Sequence, residues 1–264
     1  MTPTMYRPVE RPAPSPPVKT RTAGAVLPVL AILPMLASCA PNAAPTATEA
    51  IDGMLAAIGS QRDRDNVRSL RTVAEGSGPD GLFVTSVTSI RPDTVYFHQQ
   101  TGLGATEIWS TPQRTWGGSN QEAYAELAPA VRDFVRGHEF HLMLLDMPTR
   151  FSGFSLQGTD TVGDSPCLRI TMSDESGSDA SICIRERDWL PLELQLAPAG
   201  AEGPVRVRYG DWRAVDGLNW FHVFRLTEGS EEYSYEFVEI SASSFGQELD
   251  IQPPGLPPRE TSET

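Results

Sequence analysis

His138 and His141 stand three residues apart in HEFH, a spacing that places both imidazoles on one face of a helix. Such a pair could hold a divalent metal. The zinc-hydrolase pattern HExxH, however, needs its second histidine one position later, and no third ligand has diagnostic spacing. The expectation is therefore no metal, with ordinary polar or capping roles for both. His98 and His222 lie in strand-like segments without a companion motif, which suits the edge of the core or the surface. Neither a GxSxG elbow nor a penicillin-binding SxxK signature occurs. Acids are plentiful, but no pair stands apart from a generally acidic surface. Trp109, Trp116, Trp189, Trp212 and Trp220 could line a cavity for a lipid or glycan, and aromatic packing is the simpler use. These residues predict neither an enzyme nor a cofactor.

Cys167 and Cys183 fall in successive strand-like segments around DESGSD (174–179). Equal pairing about position 175 sets them opposite each other across a hairpin. Leu168, Ile170, Met172, Ile182 and Ile184 share the other, apolar face, so the cysteines project with Arg169 and Arg185 away from the core. A structural disulfide is the expectation in an exported chain, because disulfides persist outside the cytoplasm. Two inert thiols are the alternative. Closing a loop of this size is worth about 3 kcal/mol.

The N-terminus argues for export. Residues 1–22 are rich in proline and basic residues, residues 23–37 (AGAVLPVLAILPMLA) are uncharged and mostly apolar, and LASC follows at 36–39. A basic region, a short apolar stretch and a small-residue cleavage site describe a secretory signal. The stretch is shorter than the roughly 20 residues that span a bilayer, and Pro28 and Pro34 disfavour a spanning helix. Leu36-Ala37-Ser38-Cys39 resembles the bacterial lipobox, in which the cysteine is acylated and becomes the new N-terminus. Residues 1–38 then form a lipoprotein signal peptide, Cys39 is the lipidation site, and 39–50 is the acylated cysteine with a flexible tether. Ala40 stands where inner-membrane retention is associated with aspartate, so the same resemblance favours the outer membrane.

Four of the 21 basic residues precede Cys39 against one acid, which leaves 17 against 33 and a net charge of −16 after cleavage. Phosphate backbones need lysine and arginine to displace their counterions, so no nucleic-acid partner is expected.

The elements that would carry these residues can be read from periodicity. Ile51, Met54, Leu55 and Ile58 form one apolar stripe over a helix from Glu49 to Arg62, with Thr48 as its cap and Gly59 weakening its end. Strand-like runs follow at 70–76, 82–90, 94–99, 105–110 and 113–117. The spacing of Tyr124, Leu127, Val131, Phe134 and Val135 predicts a helix over 120–137, kinked or split at Pro129. Segment 138–147 (HEFHLMLLDM) predicts a second helix ending near Pro148. It is the most apolar stretch after Cys39 and must cover a sheet, line a pocket or meet a partner. Strands resume at 153–161, 165–173, 180–187, 190–197, 204–209, 219–227 and 232–242, with a turn at Asp216-Gly217. Both faces of the closing run YSYEFVEI are mixed, so composition does not assign its inner side. Residues 255–264 read as a disordered tail. The fold class that follows is mainly β with α: a strongly curved antiparallel sheet, a half-barrel, covered on its concave face by a few helices.

The order of elements resembles the outer-membrane lipoprotein-sorting (LolA/LolB-like) family over residues 51–254. An N-terminal helix runs into LRTVAEGSG (70–78), and IWS…RTWGG (108–118) precedes the central helices. RDWLPLELQL (187–196), YGDWRAVDGLNWFHVFRL (209–226) and FVEISASSFGQELDIQPP (237–254) are similar to the family's later strands. Departures are Ile251 in place of a phenylalanine and Trp220-Phe221 where proline is common. The resemblance implies a hydrophobic cavity between sheet and helices that holds acyl chains of a lipid or lipoprotein, lined here by Phe134, Phe140, Leu142, Leu144 and Leu145. Helix movement would open it. The family's soluble carrier has no lipid anchor, so this chain is more similar to its anchored acceptor. The implied role is binding for transfer or sorting in the envelope, on the outer membrane and facing the periplasm. A sensory or structural module that binds another envelope protein is the alternative, since sensors share the fold.

Overall fold

The computed structural model describes residues 44–119, 124–174, 177–197 and 203–245, with only the backbone of residues 129, 130, 133 and 134. The expected signal peptide, Cys39 and the tail lie outside the described residues.

Thr46 caps helix α1 (Ala47–Ile58): its hydroxyl accepts from the Glu49 amide at 3.2 Å, and the Glu49 carboxylate accepts from the Thr46 amide at 2.7 Å. This reciprocal box displaces the cap expected at Thr48. It also moves the start of the folded part ahead of Ile51, for Ala50 is completely buried. The helix stops at Gly59, where the backbone turns extended and bridges to Leu218. A separate short helix, α2 (Gln61–Asn66), restarts under a Ser60 cap. The single helix expected to Arg62 is therefore two.

Two meanders build the sheet. The first contains β1 (Ser69–Gly78), β2 (Gly81–Ile90), β3 (Thr94–Thr101), β4 (Gly104–Ser110), β5 (Thr115–Ser119) and β6 (Ala125–Glu126). The second contains β7 (Phe151–Val162), β8 (Ser165–Asp174), β9 (Asp179–Arg185), β10 (Pro191–Leu196), β11 (Val205–Val215), β12 (Leu218–Glu228) and β13 (Glu231–Ser243). Every neighbour pair is antiparallel, and the meanders join where β1 pairs with β13. The result is one 13-stranded sheet with β6 and β7 at its edges, not closed into a barrel. Helix α1 packs on both β12 and β7, which lie five places apart in that order, so the sheet curls around it.

Between the edges run α3 (Pro129–Gly137), α4 (Phe140–Leu145) and α5 (Met147–Arg150). Pro129 opens α3 at a first-turn position rather than kinking a longer helix. Tyr124 lies before that helix, its hydroxyl donating to Glu107. The helix expected over 138–147 divides at Asp146, and Pro148 sits in the first turn of α5 instead of ending its predecessor.

The main core unites α1, α4 and the inner faces of β1 and β7–β13, and a second cluster lies between α3 and β2–β4. On β13, Tyr235 and Phe237 point inward, whereas Ile240 and Ala242 do so farther on. The change of parity has a cause. Val73 pairs with Glu239 but Ala74 with Phe237, so the bulge at Val238 flips the strand's faces. The tight β11–β12 turn holds Asp216 and Gly217 at φ 51° and 81°, as a two-residue hairpin requires.

Cys167 and Cys183 form a disulfide, with Cα atoms 5.5 Å apart. The β8–β9 register is offset by two residues from the expected one. Cys167 faces Arg185 and Cys183 faces Arg169, which makes the cysteines diagonal neighbours rather than opposite ones. They do leave the main core, but a small cluster with Leu192 buries them. Among the described residues no helix is long and apolar enough to cross a membrane.

Replacing both cysteines by alanine removes a link across 16 residues of sequence. Urea unfolding should show a loss of about 3 kcal/mol, with no further change when reductant is added to the variant. An unchanged midpoint would deny the disulfide a stabilising role.

Candidate functional site

Helix α4, with the sequence FHLMLL, is buried at every position. Phe140, Leu142, Met143, Leu144 and Leu145 enter the main core. Phe140 sits 4.6 Å, ring to ring, from Phe224 on β12, and Phe224 stacks at 4.2 Å on Tyr235 of β13. His141 lies flat on Phe221 at 3.8 Å, and its Nε2–H donates to the Phe221 carbonyl oxygen at 3.0 Å. Burial pushes the pKa of His141 down to about 3, so the ring is neutral.

A cavity opens at the start of this helix. Thr72 and Ala74 of β1, Thr85 and Val87 of β2, and Phe224, Tyr235 and Phe237 of the last strands form one wall; His138 and Phe140 form the other. Its volume is about 10 Å³, room for one water. An acyl chain therefore enters only if the helical segment or the aromatic rings move.

Ion pairs hold that segment to the rim. Arg91, at the end of β2, donates from Nη1 to the carbonyls of Arg64 and Val67, both at 2.9 Å, and from Nη2 to Asp146 at 2.6 Å. One side chain thus joins α2, the start of β1 and the α4–α5 junction. Arg136 of α3 pairs with Asp93 at 3.2 Å. Arg150 pairs with the buried Glu139 at 3.0 Å. These pairs are partly shielded from water, so salt screens them less than exposed ones.

Of the residues expected to line a cavity, Phe140 borders this one, while Leu142, Leu144 and Leu145 are packed in the core beside it. The side chain of Phe134 lies outside the described residues. His138 and His141 do not share a helix: the first caps α3 and the second belongs to α4. No group of residues that could hold a metal occurs among the described residues. Sequence spacing missed Arg91, Thr72, Thr85 and Phe224, because each joins the site through strand pairing or from a loop far away in sequence. The one local signal was Arg91-Pro92 closing a strand.

An open antiparallel sheet crossed on its inner face by short helices recurs in solved structures. A LolA superfamily protein from Nitrosomonas europaea matches with a TM-score of 0.54 at 11% identity, covering 75% of this chain and 94% of that one. The fold is LolA-like. A putative outer membrane lipoprotein-sorting protein domain from Vibrio parahaemolyticus matches at 0.53 and 9% identity, over 77% of this chain and 96% of that one. A DUF1329 family protein from Desulfovibrio piger matches at 0.52 and 13%, over 74% and 92%. No protein-family model and no curated protein matches the sequence. At such identities the LolA-like fold is common ground, and side chains differ almost everywhere.

His141 makes the packing of α4 sensitive to acid. Folded, it stays neutral down to about pH 3; unfolded, it takes a proton near pH 6.5. The unfolded chain thus binds more protons between those values, and stability falls as pH drops from 6.5 towards 3, by up to about 1.4 kcal/mol per pH unit. Urea midpoints of the wild type and His141→Leu, compared at neutral pH and near pH 4, should show a shallower fall in the variant. Equal falls would mean that His141 is not buried neutral.

Proposed function

We propose that this chain is an envelope protein whose LolA-like domain binds the acyl chains of a lipid or lipoprotein between α4 and the concave sheet, for transfer or sorting rather than catalysis. Its signal peptide is removed and acylated Cys39 anchors it, on the outer membrane and facing the periplasm. The observation that carries this reading is α4 itself. A six-residue helix with every side chain buried lies over an open sheet, tied down at its margins by ion pairs instead of by long flanking helices. Breaking the Arg91–Asp146 and Arg136–Asp93 pairs would free the segment and expose apolar surface on both sides. Each methylene then sheltered contributes roughly 0.8 kcal/mol, so affinity rises with chain length. The disulfide supports an oxidising compartment. The anchored, outer-membrane part rests on the sequence before Ala44 and on likeness to a lipoprotein-sorting domain.

One observation favours a second reading. The cavity beside α4 is small, about 10 Å³, as suits a sensory or structural module that binds another protein and transfers nothing.

The test uses the full chain with Cys39→Ser, which cannot be acylated, purified from a bacterial periplasm. Native mass spectrometry and lipid extraction should find a co-purified acyl lipid, lost in Leu144→Asp. Arg91→Ala, with its latch removed, should take up a fluorescent acyl probe faster than its parent. If parent and Arg91→Ala are both free of lipid and neither takes up the probe, the carrier reading fails and the protein-binding one stands.

A further inference from the structure

Among the buried side-chain nitrogen and oxygen atoms with no partner in the described residues are two uncharged donors against the main core, the hydroxyl of Tyr209 and Nε1 of Trp212. Both belong to β11. Three residues apart, they would face opposite sides of a regular strand. Between them Asp211 is held at φ 52°, in the left-handed region, as the ladder passes from Gly210–Val223 to Trp212–Phe221. That local twist turns both rings onto Phe221, at 4.8 Å for Tyr209 and 5.6 Å for Trp212, with 6.3 Å between the two. Phenylalanine at 209 would fill the same space without burying an unmatched hydroxyl. Packing alone therefore does not account for the tyrosine.

The place is connected to the cavity. Tyr209 faces Phe224 directly across the β11–β12 pair, and Phe224 is part of the cavity wall. A chain that enters there and turns Phe224 aside meets Tyr209 next. What could satisfy the donors is limited by charge. Among the described residues no lysine or arginine is buried, and the nearby His141 is neutral. An ionised carboxylate would be desolvated here with no cation to offset it. An uncharged carbonyl oxygen, which only accepts, suits two uncharged donors.

We infer that Tyr209 and Trp212 form the seat for the ester or amide carbonyl of the bound acyl group, so that the domain selects esterified or amide-linked chains over free fatty acids. This rests on the acyl-binding reading and narrows its ligand class.

The full chain with Cys39→Ser is challenged, at neutral pH, with a fluorescent acyl ester displaced by three competitors of equal chain length: the methyl ester, the free acid and the alkane. The ester should compete best, by about tenfold over the acid. Tyr209→Phe and Trp212→Phe should each weaken the ester about fivefold to tenfold, the value of one lost hydrogen bond, and leave the alkane unchanged. Unliganded Tyr209→Phe should melt at the same temperature as its parent or higher, since it loses only an unmatched donor. Three results would overturn the inference alone: no preference for ester, an ester affinity unmoved by Tyr209→Phe, or a lower melting temperature in that variant, which would mean a bound water or the protein already satisfies the phenol. If no probe binds at all, the acyl-binding reading falls and takes this one with it.

Discussion

The chain leaves an open sheet by one edge and returns by the other. That constraint organises the molecule. β6 and β7 are consecutive in sequence and lie at opposite ends of the strand order, so the connection between them must cross a face of the sheet. A crossing segment in contact with an apolar face needs its backbone groups satisfied internally and its side chains apolar. Short helices meet the first need and the composition of α4 the second. Because the sheet curls, the crossing closes its concave side like a strap, and the core becomes what lies between strap and sheet. The strap is short, so its ends are secured by charged groups at the rim, where water begins: Arg91 with Asp146, Arg136 with Asp93.

Much of this architecture is legible in the amino-acid sequence. Alternation marked nearly every strand, since a strand with one buried face writes its period into its residues. The apolar run at 140–147 announced a covered element, and Asp216-Gly217 announced its turn. The errors share one origin. Helix breaks at Gly59 and Asp146 are set by what the chain must reach next: Leu218 for the first, the rim arginine for the second. A two-residue offset in the β8–β9 register followed from centring the hairpin on position 175. The mixed faces of β13 were unreadable because a bulge, invisible in a single strand, swaps them at Val238.

The site was less legible than the fold for a related reason. Periodicity identifies what is buried, and so pointed to Phe140 and its neighbours. It says nothing about who faces whom. Thr72, Thr85 and Phe224 come together only because β1 pairs with both β2 and β13, and β13 with β12. Tyr209 and Trp212 share a side only because Asp211 adopts a conformation uncommon for a non-glycine residue.

The seam between the meanders also has a kinetic meaning. β1 completes its pairing with β13 through contacts such as that of Ser77 with Ser234, separated by 157 positions. Every other ladder joins strands adjacent in sequence, so hairpins can form locally and early, while the seam waits for a long loop to close. Until then β1 and β13 are exposed edges, open to pairing with another chain. A protein built this way is most vulnerable while nearly finished, and its dependence on folding assistance would be concentrated in that last step.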